Sequence, residues 1–255
     1  MATGRTVLKW SSVYVDGYDL TGYSRTFGPL AWSYNEDNAT TLGDAVKNCL
    51  PGTAMCNIGS INAVLDNTAS ASHDRLNSQG TRTVLLPIGI RAAAAQGDPA
   101  FMGQFMQKDF MTSGDNGQAI NINAQFSGWD GAATTVLYSK PWGTLLHAKG
   151  AETAVNTAVG VDDNNSTAST KGGFMVYQLF SSNGTVNLKT QDAGTNTNPS
   201  FADLATTGLI TAAVTPTAGI VALSPTATVN KFIRWQLTFG TATTATFAIG
   251  FVRQL

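Results

Sequence analysis

Alternation of apolar and polar residues over short runs, broken by turn-forming residues, dominates this chain. Ile120, Ile122, Ala124 and Phe126 occupy every second position, and Asn or Gln fills the positions between them. Such alternation places the apolar side chains on one face of a β-strand. The tripeptide Asp-Asn-Gly at 115–117 is typical of a tight turn, so residues 101–111 and 118–127 are predicted to pair as a hairpin.

Similar patterns predict strands along the rest of the chain. The predicted ranges are 7–15, 84–90, 174–180, 186–190, 220–223, 231–239 and 246–253. In the last two ranges, apolar residues such as Trp235 and Phe247 recur at every second position. The residues 240–245 between them are predicted to close a hairpin, and this half of the chain has the pattern of a sandwich or jelly-roll core.

Helical periodicity is scarce. Residues 68–78 predict one short helix, with a Thr or Ser available to cap its start and Gly80 beyond its end. The alanines at 92–95 are too few for a helix and are interpreted as a loop. The predicted fold class is therefore all-β, with two β-sandwich or barrel domains: residues 1–135 with the short helix, and a jelly-roll-like domain over 136–255. A turn-rich stretch at 127–133 suggests the boundary.

The chain has few charged residues. Only 12% of its 255 residues are Asp, Glu, Lys or Arg, about half the usual share of roughly 25%. A charge-poor surface is typical of a protein that is largely covered by neighbours of its own kind. The net charge of -1 argues against clamping of a nucleic-acid backbone. Residues 1–135 carry 8 basic and 11 acidic side chains, a balance of -3, and the remainder carries 7 and 5, a balance of +2.

The start of the chain lacks the apolar core of a signal peptide, and no run of 18 apolar residues occurs. We therefore expect synthesis in the cytoplasm and no membrane anchor. Cys49 and Cys56 are too few for a disulfide framework, and we interpret both as small buried thiols.

Chemical motifs are missing. The only histidines, His73 and His147, lie in no recognisable motif, and the nucleophile elbow, the phosphate-binding loop and the zinc-protease helix are all absent. We predict neither an enzyme nor a bound cofactor or metal. Asp162 and its neighbours offer oxygen ligands of the kind calcium takes, but without the required spacing, so a solvated turn is favoured. We interpret Glu36 and Asp37 as charged residues of a loop. The alternation around Trp235 favours its burial in the core over a role in a carbohydrate-binding surface.

Several segments resemble the major tail proteins of tailed phages. In the first half these are 13–23 (VYVDGYDLTGY), 39–44 (ATTLGD), 48–52 (NCLPG) and 65–67 (LDN). In the second half, 198–204 (NPSFADL), 228–235 (TVNKFIRW) and 246–251 (TFAIGF) are similar to a β-sandwich module often appended to such proteins and also found in head decoration proteins.

The resemblance implies a structural virion protein, made in the host bacterial cytoplasm, that forms stacked rings of a tail tube. Its partners would be copies of itself, in a ring or lattice such as a hexamer, and other virion proteins, with DNA only as a non-specific cargo in the lumen. Contacts are expected from a loop over 28–50 and from outward loops over 162–170 and 192–201. The candidate contact residues in these segments are Glu36, Asp37, Thr41, Asp44, Asp162, Asp163, Asn164, Asn198 and Phe201.

Two alternatives stay open at the level of sequence. A capsid decoration protein that reinforces the head would use the same kind of jelly-roll module. A glycan-binding tail fibre module would use the aromatic residues and the polar loops of the second half.

Overall fold

A computed structural model describes residues 6–41, 49–90, 92–128, 140–156, 160–162 and 167–254. Nearly all of its regular structure is β, which confirms the predicted all-β fold class. The strands before residue 129 are β1 (Tyr14–Val15), β2 (Tyr18–Asp19), β3 (Ser24–Phe27), β4 (Leu30–Asn38), β5 (Cys49–Val64), β6 (Gly80–Pro87), β7 (Pro99–Ser113) and β8 (Asn121–Gly128). Those after residue 139 are β9 (Trp142–Glu152), β10 (Val161–Asp162), β11 (Gly173–Ser182), β12 (Thr185–Ala193), β13 (Ala202–Thr206), β14 (Ile210–Thr211), β15 (Thr217–Ala222), β16 (Phe232–Phe239) and β17 (Ala245–Arg253).

Helical structure is sparse among the described residues. The α-helix α1 (Ser72–Leu76) lies inside the range predicted for the one helix, although it is shorter and Ala71 at its N-cap makes no side-chain cap bond. Two 3-10 turns, Leu8–Trp10 and Asn198–Ser200, complete the helical elements. None of the helices in the described ranges is both long and apolar enough to span a membrane.

The second half forms two opposing antiparallel sheets, which we call the jelly roll. One sheet has the order β15-β11-β17-β9 and the opposing sheet the order β10-β16-β12-β13, with β14 paired to β12. The chain crosses between the two sheets from β9 to β12 and again from β14 to β17, whereas β12, β13 and β14 all lie in the second sheet. The core between the sheets is apolar, and Ile233, Trp235 and Leu237 face Phe247, Ile249 and Phe251 across it.

The hairpin predicted between residues 231–239 and 246–253 is wrong. β16 pairs with β10 and β12, whereas β17 lies in the other sheet between β11 and β9. The apolar faces of both strands still lie in one core, because Ile233, Trp235 and Leu237 pack on Phe247, Ile249 and Phe251 from the opposing sheet.

The first half forms a curled sheet that continues from the jelly roll through β7. β7 pairs with β9 over Pro99–Phe101 and with β8 further along, which gives the predicted hairpin around the turn at 115–117. Ile122, Ala124 and Phe126 are buried as predicted, but Ile120 is exposed because β8 begins one residue after it. The predicted loop at 92–95 is confirmed for its described residues.

The strand predicted over residues 7–15 is wrong in its first half. Residues Leu8–Trp10 form a 3-10 turn, and only Tyr14–Val15 form a strand. The turn satisfies its own backbone, since the Trp10 and Ser11 amides donate to the carbonyls of Val7 and Leu8. No described strand lies alongside Leu8–Trp10 to extend the sheet.

Three apolar clusters form successive layers. The first fills the jelly roll, the second fills the curled sheet around Phe101, Phe105 and Phe126, and the third lies between them. The third cluster joins side chains from both halves, for example Leu85 and Met102 with Val176. The boundary predicted at residue 135 falls within 129–139, outside the described residues, and the domain division stays a prediction.

Candidate assembly surface

A two-stranded ribbon extends from the curled sheet. β4 pairs antiparallel with β5 from Leu30 opposite Ile58 to Asn38 opposite Cys49. The neighbouring strand β8 pairs with β5 only from Asn57 onward. We use the name ribbon for β4 together with residues 49–56 of β5, and among the described residues these residues of β5 pair only with β4.

The ribbon presents an open strand edge. β4 is hydrogen-bonded to β5 on one side, and no described strand pairs with its other side. Trp32 and Met55, at the base of the ribbon, are 40% and 42% exposed. An unpaired edge beside exposed apolar side chains is a template for pairing with another chain.

The candidate residues in the first half lie on or next to this ribbon. Glu36 and Asp37 belong to β4, opposite Pro51 and Leu50, so the interpretation of both as loop charges is wrong. The region predicted as a loop over 28–50 is largely this strand, because β5 supplies a full set of pairing partners for it. Thr41 is exposed after the end of β4, and Asp44 lies outside the described residues.

The candidate residues of the second half lie at the ends of jelly-roll strands. Asp162 belongs to β10, where its backbone pairs with Phe232, so it is not in a turn as expected. Asp163 and Asn164 lie outside the described residues.

Asn198 and Phe201 have partners within the chain. The Arg234 guanidinium is 3% exposed, donates from Nη1 to Asn198 Oδ1 at 2.6 Å, and lies 4.3 Å from the centre of the Phe201 ring. These contacts hold the loop after β12 against β16. Their part in binding another subunit stays a prediction.

A cleft of about 350 Å³ lies next to the base of the ribbon and was missed by the sequence analysis. One wall comes from the segment before β1 and the other from β3. The cleft is lined by Leu8, Lys9, Ser11, Val13, Thr21, Ser24, Arg25, Thr26 and Phe27. No sequence motif marks these residues, because they become neighbours only through the pairing of β1 with β6 and of β3 with β5.

Two titratable residues named in the sequence analysis, His147 and Cys56, have packing roles. The buried His147 ring stacks on Phe247 at 4.3 Å, and its Nε2 lies 2.9 Å from Glu152 Oε1. Trp235 contacts the same imidazole and is 8% exposed, which confirms the expected burial. Half-burial of Cys56 raises the pKa of its thiol to about 11, so at neutral pH it is a protonated packing residue. Within the described ranges no three His, Cys, Asp or Glu side chains are grouped as metal ligands.

These features define an all-β protein with a jelly roll, a curled sheet and an extended ribbon. No family model and no curated protein matches the chain. Among solved structures, the chain is similar to the one titled "Crystal Structure of SPP1 Dit (gp 19.1) Protein, a Paradigm of Hub Adsorption Apparatus in Gram-positive Infecting Phages". The identity is 13% over 96% of this chain and 99% of that chain, and the TM-score is 0.34. A TM-score of this size assigns neither fold nor function to the chain.

Proposed function

We propose that this chain is a structural virion protein of a tailed phage that assembles with copies of itself into stacked rings of a tail tube. The observation that carries the proposal is the ribbon, in which β4 (Leu30–Asn38) pairs with β5 on one side and with no described strand on the other. An open edge of that length is a liability for a dispersed monomer and an advantage for a subunit that pairs with a neighbour. The resemblance of residues 13–23, 39–44 and 48–52 to tail proteins supports the same role.

The low charge of the chain fits a subunit surrounded by others. In the proposed ring, the curled sheets of neighbouring subunits lie side by side and the jelly rolls point outward. A DNA conduit must pass a polyanion without holding it, and the balance of -3 over residues 1–135 suits such a wall. In this arrangement the chain has no catalytic step to perform.

The proposal is tested by the state of the purified chain. We expect six-fold rings or tubes in negative-stain images and a matching mass by light scattering. Met55→Glu introduces a charge on the exposed face of the ribbon, and its burial in a contact raises the concentration needed for assembly by about tenfold or more. Val214→Glu is the matched control, because Val214 is 96% exposed and lies in the loop before β15, away from the ribbon. A wild-type chain that stays monomeric at millimolar concentration contradicts the proposal.

A capsid decoration protein is the second candidate, and the jelly roll is the observation that favours it. Such a protein binds a preformed head lattice as trimers or monomers. Trimers without tubes in the same images, together with binding to emptied heads, would select this role over the tube.

A further inference from the structure

The cleft between the segment 8–13 and β3 has the chemistry of a site for an anionic partner. Lys9 and Arg25 both line it and both are exposed. Neither makes an ion pair with a carboxylate of the described residues. By contrast Lys149, Lys189 and Arg82 all bind a carboxylate within the chain. Lys9 Nζ lies 5.3 Å from the centre of the Trp10 ring, and the cleft therefore holds two exposed cations that no carboxylate of the described residues neutralises.

The wall formed by β3 is an open strand edge. β3 pairs with β5 on one side, and no described strand pairs with its other side. The opposite wall makes side-chain contacts at the inner end of the cleft, where the Val13 amide donates to Thr21 Oγ1 at 3.0 Å. No backbone hydrogen bond joins Arg25 or Thr26 to the segment 8–13. An extended peptide that enters the cleft can pair with this edge by β-augmentation.

We propose that the occupant is the β4 edge of a second copy of this chain, whose acidic positions Glu36 and Asp37 complement the charges of Lys9 and Arg25. This inference rests on the self-assembly proposed above and names the two surfaces that meet. β4 is extended, has an open edge of its own and carries adjacent acidic residues, so it matches the cleft in both backbone and charge. The contact is heterologous, and repetition of such a contact builds a ring or a filament.

The ribbon cannot fill the cleft of its own chain. Glu36 lies six residues beyond Leu30, where β4 begins beside the cleft, and a strand advances roughly 3.3 Å per residue. The acidic positions are therefore about 20 Å along the ribbon, held there by pairing with β5. Folding back would break that pairing, so the partner must be another molecule.

Charge reversal on each surface tests the inference. We expect Lys9→Glu combined with Arg25→Glu, and separately Glu36→Lys combined with Asp37→Lys, to raise the concentration of half-assembly about tenfold or more. Mixing the two double variants restores assembly to within about threefold of wild type, because each ribbon then finds a cleft of opposite charge. The matched control, Lys108→Glu combined with Lys171→Glu, changes two exposed lysines elsewhere by the same net charge and leaves assembly unchanged.

The results that overturn the inference are distinct from those that overturn the assembly. A double variant that assembles at the wild-type concentration, or a mixture no better than its components, removes this contact while rings remain. A peptide of residues 30–38 supplies an independent readout, namely binding to the wild-type chain and about tenfold weaker binding to the Lys9→Glu, Arg25→Glu chain. If the wild-type chain associates through this contact into dimers or filaments but forms no rings, the tube proposal fails and the cleft assignment stands; a wild-type chain that stays monomeric, or equal binding of the peptide to both chains, overturns the assignment.

Discussion

At the scale of single residues, the aromatic side chains of the curled sheet illustrate how this charge-poor chain is stabilised. Phe101 is completely buried, stacks on Phe105 with ring centres 5.7 Å apart, and meets the edge of Trp142 at 5.3 Å. Trp142 belongs to β9, so this contact joins the curled sheet to the first strand of the jelly roll. Apolar burial of this kind is the main favourable contribution to folding.

Phe101→Ala is expected to lower the free energy of unfolding by about 3–5 kcal/mol, because it removes buried surface and leaves a cavity among rings that cannot close it. Urea denaturation followed by tryptophan fluorescence measures the change. Met111→Ala is the control, since Met111 is 48% exposed and its truncation is expected to cost no more than about 0.5 kcal/mol. Equal losses in the two variants would contradict the account of the core.

At the scale of elements, an ion pair connects the short β1–β2 hairpin to β9. Lys149 Nζ donates to Asp19 Oδ2 at 2.7 Å, and the Thr21 amide donates to Asp19 Oδ1 at 3.0 Å. Burial raises the pKa of the Asp19 carboxyl, but the hydrogen bonds from Lys149 and Thr21 outweigh burial and hold that pKa below its ordinary value of 3.8. The folded chain therefore favours the carboxylate.

Because the folded-state pKa is lowered, the stabilisation from Asp19 is present above pH 3.8 and is lost as the pH falls through the folded-state value. Asp19→Asn is expected to lower the free energy of unfolding at pH 7 by about 1 kcal/mol, and the difference from wild type shrinks as the pH falls below 3.8. Urea denaturation over a pH series measures both. Asp115→Asn, in an exposed turn that accepts either residue, should show no such pH-dependent difference.

At the scale of the whole molecule, the side-chain amide of Gln178 connects the two ends of the curled sheet, whose strand order runs β15-β11-β17-β9-β7-β6-β1-β2. Gln178 of β11 is fully buried. Its Nε2 donates to the Thr83 carbonyl of β6 at 2.9 Å, and its Oε1 accepts from the Gly17 amide at 2.5 Å. Gly17 has a φ of +83°, and a Cβ there would lie 2.8 Å from the Thr217 nitrogen, so the β1–β2 turn packs directly on β15.

Gln178→Met keeps the volume of the side chain and leaves the buried Gly17 amide without a partner, whereas the Thr83 carbonyl still accepts from the Asp16 amide at 3.0 Å. We expect the free energy of unfolding to fall by about 1–3 kcal/mol. Gln104→Met is the matched control, because Gln104 is half-buried in β7 and its side chain makes no hydrogen bond to the described residues. A loss at Gln178 no greater than the loss at Gln104 would show that the amide does not close the sheet.

The sequence by itself determined the local features of this protein. Alternation at Ile122, Ala124 and Phe126 predicted their burial, and the turn at 115–117 predicted the pairing of β7 with β8. These features depend on residues close in the chain, since the pleat decides which side chains share a face and the turn decides the register. The segment around Glu36 and Asp37 was predicted as a loop but is a strand, and its part in contacts between subunits stays a prediction.

Only the tertiary structure decided which strands became neighbours. Every strand offers the same backbone donors and acceptors, so alternation in β16 and β17 revealed their apolar faces but not that they lie in opposite sheets. The cleft has the same origin, because Lys9 and Arg25 meet only after β1 and β3 have joined distant partners. Which distant strands pair depends on burying all three apolar layers at the same time. A local sequence pattern does not carry that information.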